Sequence, residues 1–457
     1  MTKSAWNPDK TAAGAFLKTA SIYQIFLRSF TQEGTLKAAQ KLLPHLSEMG
    51  FDILYLCPVA EADDDANPDH WSERQKASQM GNPKNPYRIK DYYAVDGEYG
   101  TNQDLEDFVR EAHGYGMRVL LDLVYFHCGP AAVFLQEHPD FVQRDEKGEI
   151  RYLDWHFPGI NYDSLPLREY LWQNMEYFVR RFDVDGYRCD VGDMCPLDFW
   201  EEGRRRLEAI RPDILMLNEG QKPEYLERAF DMSYCFGWCY ALAGVLRGEA
   251  PASSLVPQWQ KFHDSFPQGA RLLRALDNHD TVSDSYENRA ETYAGHEGME
   301  AALVLNYMLD GVPFVYNGNE VADANRHSIF ANRFYGKNLV IDWSNGLTPY
   351  GRRRMEVVKQ LNRLRHLHPA LWEGETHWKE TDADESVVAF TRNSSGENLL
   401  IVVNLSKKPV SVALSLDGVK TEKSFSILQK GEVQSSDSTF RMGLPAFGYA
   451  VLKYGQQ

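Results

Sequence analysis

The sequence lacks a cysteine pair typical of zinc sites, an apolar signal peptide and any apolar run that could span a membrane. No Cys-x-x-Cys pair occurs among its 6 cysteines, so a zinc site is not expected. Residues 1–8 contain no apolar core of a signal peptide, and no apolar run is long enough to cross a bilayer. We therefore expect a reduced, cytoplasmic protein with no membrane partner.

Basic residues are fewer than acidic residues, 49 against 65, which gives a net charge of -16. An acidic surface repels phosphates and anionic lipids, which argues against nucleic acid as a partner. With 457 residues, 43% of them hydrophobic, the chain can bury a sizeable core in two or more domains. The 10 Trp and 24 Tyr suit such a core, and they suit the flat faces of sugars equally well. The oligomeric state is not readable from the sequence.

Apolar strands alternate with amphipathic helices along most of the chain. The predicted strands cover 21–30, 51–57, 118–124, 184–190, 213–218, 230–235, 271–276 and 311–316. A helix is predicted over 36–49, with Thr35 and Gly50 as its caps and Pro44 as a point where it kinks or splits. Near-continuously apolar strands, each followed by a helix, indicate a parallel sheet covered by helices. About eight such units fit a single (β/α)8 TIM barrel, an α/β fold.

Two segments depart from this alternation. Residues 127–166 are polar and irregular, and they are too long for a simple connection, so we expect a short inserted subdomain after the third barrel strand. Beyond 372 the pattern changes to period-two runs separated by turn residues, which predicts a C-terminal antiparallel β-sandwich domain over 373–457. The barrel itself would comprise residues 1–126 and 167–372.

The stretch Gly186-Tyr-Arg-Cys-Asp190 reads as a buried strand that ends on a carboxylate. Arg188 and Asp190 lie two residues apart, so in a strand both point to the same face. A guanidinium beside a carboxylate lowers the pKa of the acid and fixes its rotamer, which suits a carboxylate that must stay ionised and attack. An ordinary arginine–aspartate pair closing a strand end explains this stretch equally well.

Polar residues follow the ends of further predicted strands in the same way. Taken together they are Asp122 with His127, Arg188 with Asp190, Glu219, and His279 with Asp280. Chemistry in such barrels lies where strands end and loops begin, so the carboxylates would converge in one pocket. Like charges held together separate their pKa values, and one acid can stay ionised while another holds a proton, as glycosidic bond cleavage requires.

Each of these residues also has a purely structural alternative. Asp122 could pair with a neighbouring arginine, and His127 could be a satisfied loop histidine. Glu219 could lie at a helix start, favoured by the helix dipole, and Asp280 could cap a helix. The occurrence of all of them at successive strand ends favours the catalytic interpretation.

These segments resemble the signatures of the α-amylase family of glycoside hydrolases (family 13). The four matching segments, in order, are Asp122-Leu-Val-Tyr-Phe-His127, Gly186-Tyr-Arg-Cys-Asp190, Asn218-Glu219 and Asn278-His-Asp280. Supporting segments are Ile22-Tyr-Gln-Ile-Phe26, Asp91-Tyr-Tyr93, Tyr99-Gly-Thr101 and Gly311-Val-Pro-Phe-Val-Tyr316. The resemblance extends over essentially the whole chain.

The resemblance implies a retaining α-glycoside hydrolase that cleaves α-linked gluco-oligosaccharides through a covalent glycosyl-enzyme and needs no cofactor. Asp190 would be the nucleophile, Glu219 the acid/base and Asp280 the stabiliser of the transition state. The same resemblance assigns substrate binding to Tyr87, Asp122, His127, Arg188 and His279. A transglycosylase or sugar isomerase using the same residues is the alternative, followed by a non-catalytic carbohydrate-binding relative.

The chain departs from the family pattern at several positions. Phe126 replaces an asparagine that often binds calcium, so a metal site of that kind is not expected. Arg88 follows Tyr87 where many members have aspartate, and Asp193-Met194 replaces a Lys-His pair that binds the leaving-side sugar; together these argue against an ordinary secreted, starch-liquefying amylase. The acidic run 61–65 is expected to be a solvated loop. Four loop aromatics could line sugar subsites or pack beneath their loops: Trp71, Trp155, Phe157 and Trp238.

Overall fold

The computed structural model describes residues 11–283, 288–336, 339–416, 419–436 and 439–456. Residues 1–8, where no signal peptide is predicted, lie outside these ranges. The first ten strands are β1 Ile22–Ile25, β2 Ile53–Leu56, β3 Ala60–Ala62, β4 Ile89–Val95, β5 Arg118–Leu123, β6 Gly186–Cys189, β7 Leu215–Asn218, β8 Met232–Ser233, β9 Arg271–Arg274 and β10 Val312–Tyr316.

Eight of these strands close into a barrel in the order β1-β10-β9-β8-β7-β6-β5-β2, and neighbouring strands run parallel. Their side chains are almost entirely buried, because the barrel interior covers one face and the surrounding helices cover the other. The predicted TIM barrel is therefore confirmed. The strands are shorter than predicted, and the second half of the predicted strand 21–30 is instead a short helix.

The helices in the described ranges surround this barrel. They are α1 Ala12–Leu17, α2 Leu27–Phe30, α3 Leu36–Gln40, α4 Leu43–Met49, α5 Glu73–Ser78, α6 Asn102–Gly114, α7 Leu165–Phe182, α8 Leu197–Glu208, α9 Phe236–Arg247, α10 Leu255–Ser265, α11 Ala290–Tyr293, α12 Gly295–Met308 and α13 Pro349–Leu367. In this part of the chain, none of them has the length and apolar character needed to span a membrane.

The helix predicted over 36–49 is split at the predicted place. Thr35 caps α3 by accepting from the Ala38 N–H, and Gly50 ends α4 with φ of 84°. Pro44 lies in the first turn of α4, where a missing N–H costs least, so the chain starts a new helix there.

The segment between β2 and α6 is more ordered than its polar sequence suggests. β3 and β4 pair in antiparallel fashion, and α5 lies between them along the chain. The expectation of a solvated acidic loop is wrong for Asp63, which is fully buried and accepts from the Ala131 and Asp65 N–H groups. The fold thereby ties this segment to the start of the insert that follows β5.

The insert that follows β5 is held by isolated bridges and short 3-10 turns. His127 pairs with Gly159 and Val142 pairs with Ile160, which brings the two ends of the segment together. The 3-10 turns Val133–Gln136 and Pro139–Phe141 bury Phe134 and Phe141. The segment is therefore compact although it carries little regular structure.

The C-terminal strands form two antiparallel sheets, as predicted. They are β11 Glu375–Lys379, β12 Val387–Ser394, β13 Glu397–Asn404, β14 Val410–Ser415, β15 Val419–Lys430, β16 Glu432–Ser436, β17 Thr439–Leu444 and β18 Tyr449–Gln456. One sheet has the order β11-β12-β13-β18-β15 and the other β14-β17-β16. Leu400 and Val402 of the first sheet share a core with Phe440 and Met442 of the second, which makes the domain a sandwich.

Candidate active site

A pocket of about 470 Å³ lies at the carboxyl ends of the barrel strands. Its walls include four of the predicted site residues that carry acid or imidazole groups, Asp190, Glu219, Asp280 and His127, together with Tyr87. Arg188, Asp122 and His279 lie directly behind these, in contact with them. The structure thus brings together every site residue named from the sequence.

Arg188 is the centre of the pocket floor. Its Nη1 donates to Asp122 Oδ1 at 2.7 Å and to Asp190 Oδ1 at 2.9 Å. Its Nη2 lies 2.7 Å from Glu219 Oε2, in an ion pair that lacks hydrogen-bond alignment. One fully buried guanidinium therefore contacts three carboxylates, which keeps them close to one another.

The local sequence explains why Arg188 and Asp190 share this floor. Arg188 lies in β6 and Asp190 directly follows it, and the contact between them shows that both side chains point to the same face, as predicted. Gly186 begins β6, and a Cβ there would lie 1.9 Å from the Leu215 carbonyl oxygen of β7. Only glycine permits this approach, which allows β6 and β7 to pair from their first residues, so that Asp190 and Glu219 follow the last pair, Cys189 with Asn218.

The prediction that Arg188 keeps the pKa of Asp190 low is wrong for the carboxyl group as a whole. Burial raises the pKa of this carboxyl well above its usual value, and Arg188 opposes the shift without cancelling it. The carboxylates of Glu219 and Asp122 raise it further, because three acids face a single guanidinium. Burial also raises the pKa of Asp122 to about 6, against Arg188 and the Tyr55 hydroxyl, which lies 2.6 Å from its Oδ2.

Glu219 follows β7 directly, and one of its oxygens is already engaged. The Val191 N–H donates to Glu219 Oε2 at 2.8 Å. Val191 adopts the left-handed backbone conformation, with φ of 37°, which is rare and strained for a β-branched residue. Strain of this kind next to a candidate acid/base is consistent with a functional constraint on that N–H.

His279 and Tyr87 form one side of the pocket. Their rings stack with centroids 5.4 Å apart and planes at 11°, and Tyr87 Oη lies 2.6 Å from His279 Nε2. Burial lowers the pKa of His279 to about 4, so the ring is neutral near pH 7. The Gln24 amide donates to Nδ1 at 2.7 Å, which leaves the ring proton on Nε2, 3.1 Å from Asp280 Oδ2. Gln24, within the segment Ile22–Phe26, has a role that the sequence did not reveal.

Asp280 carries a partner that sequence reasoning missed. Arg74 of α5 donates from Nη1 to Asp280 Oδ1 at 2.6 Å and from Nη2 to the Asp280 carbonyl at 3.1 Å. Although burial acts to raise the pKa of Asp280, His279 and Arg74 together lower it to about 2. Asp280 is therefore ionised at any pH at which the protein is expected to act.

The opposite side of the pocket is aromatic. His127 packs against Phe157 and Trp155, with ring centroids 4.9 and 5.4 Å apart, and burial lowers its pKa to about 3. Trp155 and Phe157 line the pocket, which agrees with the interpretation that loop aromatics form its walls rather than pack beneath their loops. Trp238 does not, since it is fully buried and donates to Asn306 in the core. Trp71 donates to the Asp65 carbonyl and is not among the residues that line this pocket.

The residues that depart from the family pattern have structural partners. Arg88 is fully buried and is not among the residues that line the pocket; it donates to the carbonyls of His70, Asp63, Asp65 and Pro83. Its guanidinium therefore holds the loop between β3 and β4 together.

Phe126 takes the place of a calcium-binding asparagine of the family. Its ring packs edge-on against His127 and Trp155 and supplies no oxygen ligand. Across the residues that the structure describes, no three His, Cys, Asp or Glu side chains are grouped as a metal ion would require. The Phe126 side chain therefore does not fit as a ligand of that calcium ion.

Comparison with known proteins finds similarity to alpha-amylases and maltogenic amylases. A model of the alpha amylase catalytic domain matches residues 21–159 and 143–395, and a model of the maltogenic amylase C-terminal domain matches residues 379–451. The alpha-amylase MalA of Haloarcula japonica is 25% identical over 431 residues, which cover 88% of this chain and 58% of that protein. The maltogenic alpha-amylase of Bacillus acidopullulyticus is 25% identical over 420 residues, which cover 85% of this chain and 65% of that protein. The chain thus spans about three fifths of the length of these two relatives.

The fold is similar to solved structures along almost its whole length. An alpha-amylase from Lactobacillus plantarum superposes with a TM-score of 0.80 at 25% identity, covering 96% of this chain and 100% of that one. The maltogenic alpha-amylase AmyB from Thermotoga neapolitana gives a TM-score of 0.80 at 24% identity, covering 95% of this chain and 99% of that one. The arrangement of barrel and C-terminal sandwich is therefore shared.

Proposed function

The chain belongs to the α-amylase family of glycoside hydrolases, and we propose that it cleaves α-linked gluco-oligosaccharides with retention of anomeric configuration. The observation that carries this proposal is the contact of Arg188 with Asp122, Asp190 and Glu219 on the floor of one pocket. Carboxylates that share one guanidinium act on one another, and the charges of Glu219 and Asp122 raise the pKa of Asp190. One ionised and one protonated carboxyl is the state that this chemistry requires.

Asp190 is the proposed nucleophile. Its Oδ1 accepts from Arg188, which leaves Oδ2 to attack the anomeric carbon. His127 Nε2 lies 3.8 Å from that Oδ2, and the neutral ring can contact a sugar hydroxyl beside it. Arg188 counters part of the burial penalty on the attacking carboxylate and fixes its orientation.

Glu219 is the proposed acid and base. It would first protonate the glycosidic oxygen as the bond to the leaving sugar breaks, and would later take a proton from the incoming water. Asp280, kept ionised by His279 and Arg74, would bind sugar hydroxyls and favour the positive charge that develops on the ring. Tyr87, with His279 stacked behind it, presents a flat aromatic surface for the same sugar.

The test is product analysis combined with anomer detection. The protein and its Glu219→Gln and Asp190→Asn variants are incubated with maltose, isomaltose, trehalose, sucrose, maltodextrins and cyclic glucans. We expect shorter sugars from the unmodified protein, released first as the α-anomer in proton NMR spectra, with rates at least about 100-fold lower for both variants. Release of the β-anomer first would overturn the retaining mechanism.

The same experiment separates the remaining alternatives. Longer or rearranged sugars that appear only with the unmodified protein would move the assignment to transglycosylation or isomerisation on the same residues. Binding of these sugars without turnover would assign the chain to the non-catalytic carbohydrate-binding relatives. Location in the cytoplasm remains a proposal that fractionation of the source cells would test.

A further inference from the structure

The side chain of Asp193 joins the loop that follows the proposed nucleophile to the loop that follows the proposed acid/base. Its Oδ1 accepts from Asn218 Nδ2 at 2.6 Å. Its Oδ2 accepts from the Gln221 N–H at 2.5 Å and from the Lys222 N–H at 2.9 Å. Lys222 Nζ also donates to the Asp193 carbonyl at 2.8 Å. The carboxylate therefore contacts both residues that flank the Glu219-Gly220 step.

Gly220 allows this close contact. A Cβ at this position would lie 2.1–2.3 Å from the carboxyl group of Asp193, so any larger residue would force the two loops apart. Gly192 makes a second close contact, since a Cβ there would lie 2.3 Å from Asn218 Oδ1. The Gly192 carbonyl accepts from the Trp200 indole at 3.0 Å, which fixes the first loop to α8.

The same two loops orient the carboxyl group of Glu219. The Val191 N–H donates to Oε2, and Arg188 Nη2 lies against the same oxygen. A proton on Oε2 would face two donors, so a protonated Glu219 carries its proton on Oε1. This orientation depends on the left-handed backbone at Val191, which the contacts of the next residues hold in place.

We propose that Asp193 is a positioning residue that holds the β6 and β7 loops together so that Val191 fixes Oε2 of Glu219 and directs the proton on Oε1 at the glycosidic oxygen. This inference rests on the function proposed above. In the step that it supports, the proton on Oε1 passes to the glycosidic oxygen, the C–O bond breaks with its electron pair on that oxygen, and Asp190 Oδ2 bonds to the anomeric carbon.

A direct contact between Asp193 and the leaving sugar is the competing interpretation, because the family places sugar-binding residues at this position. The contacts of Asp193 argue against it. Its Oδ1 accepts from one protein donor and its Oδ2 from two. Asp193 is also not among the residues that line the pocket.

The experiment compares two substrates that differ in their need for an acid. Maltotriose requires protonation of its leaving sugar, whereas α-maltosyl fluoride releases fluoride without it. For Asp193→Ala we expect kcat/KM on maltotriose to fall about 100-fold and kcat/KM on the fluoride to change by less than about threefold. Asp198→Asn, which removes an exposed carboxylate from the nearby helix α8, is the control and should change neither value.

A second variant protects the test against a folding defect. Gly220→Ala keeps the Asp193 side chain but forces it away from the β7 loop, so we expect the same selective loss on maltotriose. Equal losses on both substrates in these variants, with unchanged thermal unfolding, would overturn the positioning role. Inactivity of the unmodified protein on both substrates would instead overturn the proposed function, and the positioning role with it.

Discussion

Arg74 and Asp280 lie 206 positions apart in the sequence, yet Arg74 Nη1 donates to Asp280 Oδ1 at 2.6 Å. The pair joins α5 to the loop after β9 at the edge of the pocket. Asp280 Oδ2 faces His279 Nε2, so both oxygens of the proposed stabilising carboxylate have partners within the protein. The orientation in which Asp280 meets a sugar is thus fixed beforehand.

Replacement of Arg74 by methionine should lower kcat/KM by about 10- to 100-fold. A hydrogen bond between charged groups contributes about 1.5–3 kcal/mol, and without it Asp280 must be oriented during the reaction. The loss should be equal for maltotriose and α-maltosyl fluoride, because Asp280 does not act on the leaving group. Lys76→Met, on the same helix but outside the pocket lining, is the control, and a loss confined to one substrate would contradict this prediction.

The same pair predicts how stability depends on pH. The pKa of Asp280 is about 2 in the folded protein against 3.8 for the free group, so the folded state favours the ionised form. The resulting stabilisation is complete above the ordinary pKa and disappears as the pH falls towards 2. Arg74→Met should therefore lose more stability at pH 6 than at pH 2.5, as thermal unfolding scans at both values would show. Equal losses at the two pH values would contradict it.

Replacement of Asp122 by asparagine should extend activity to lower pH. The Asp122 carboxylate raises the pKa of Asp190 and also draws on Arg188, so its removal lowers that pKa by both routes. The acid limb of the kcat/KM profile, which reports protonation of the nucleophile, should shift to lower pH. Asp198→Asn serves again as the matched control, and a shift of the acid limb to higher pH would refute the assignment of Asp190.

Replacement of Arg88 by methionine should destabilise the protein by at least about 3 kcal/mol without removing a pocket residue. Each of the four carbonyls would lose one hydrogen bond, although those of Asp65 and Pro83 keep a donor in Trp71 and Gln75. The buried Asp63 side chain would also lose its nearby guanidinium. Urea unfolding gives the free energy directly, and the exposed Arg110→Met is the control. A change within about 0.5 kcal/mol would show that the loop does not depend on Arg88.

Replacement of Trp155 by alanine should raise KM for oligosaccharides about tenfold with little change in kcat. Its ring lines the pocket and is 37% exposed, so it offers an apolar face to a sugar without contact with the reacting carboxylates. Tyr115→Ala, at the opposite end of the barrel, is the control. A fall in kcat with constant KM would assign Trp155 to the chemical step instead.

The sequence predicted those parts of the site that depend on strand geometry. Asp190 and Glu219 follow buried strands, and the carboxyl ends of parallel strands meet at one end of a barrel, so their convergence could be expected. Arg74 could not be found in this way, because it lies on a short helix in a long polar loop and reaches the pocket only through tertiary packing. Its sequence neighbourhood gives no sign of which carboxylate it meets.

The pKa of Asp190 shows a second limit. A lowered value was predicted from Arg188 alone, two residues away, although the sequence also predicted that the carboxylates converge. Burial, Glu219 and Asp122 act from other strands and outweigh that neighbour. The helix Leu27–Phe30 was missed for a related reason, since its apolar residues suit a strand equally well and only packing around the barrel decides between the two.

The guanidinium of Arg88 is surrounded by carbonyl oxygens, an arrangement that in other proteins can bind a dissociable metal cation. A free ion stabilises a fold only in proportion to its concentration relative to its dissociation constant. The Arg88 guanidinium is covalently part of the chain, so one cation is always present per molecule, and neither dilution nor a chelator can remove it. The loop that carries Tyr87 and Arg74 to the pocket is therefore held by a cation that the surrounding solution does not have to supply.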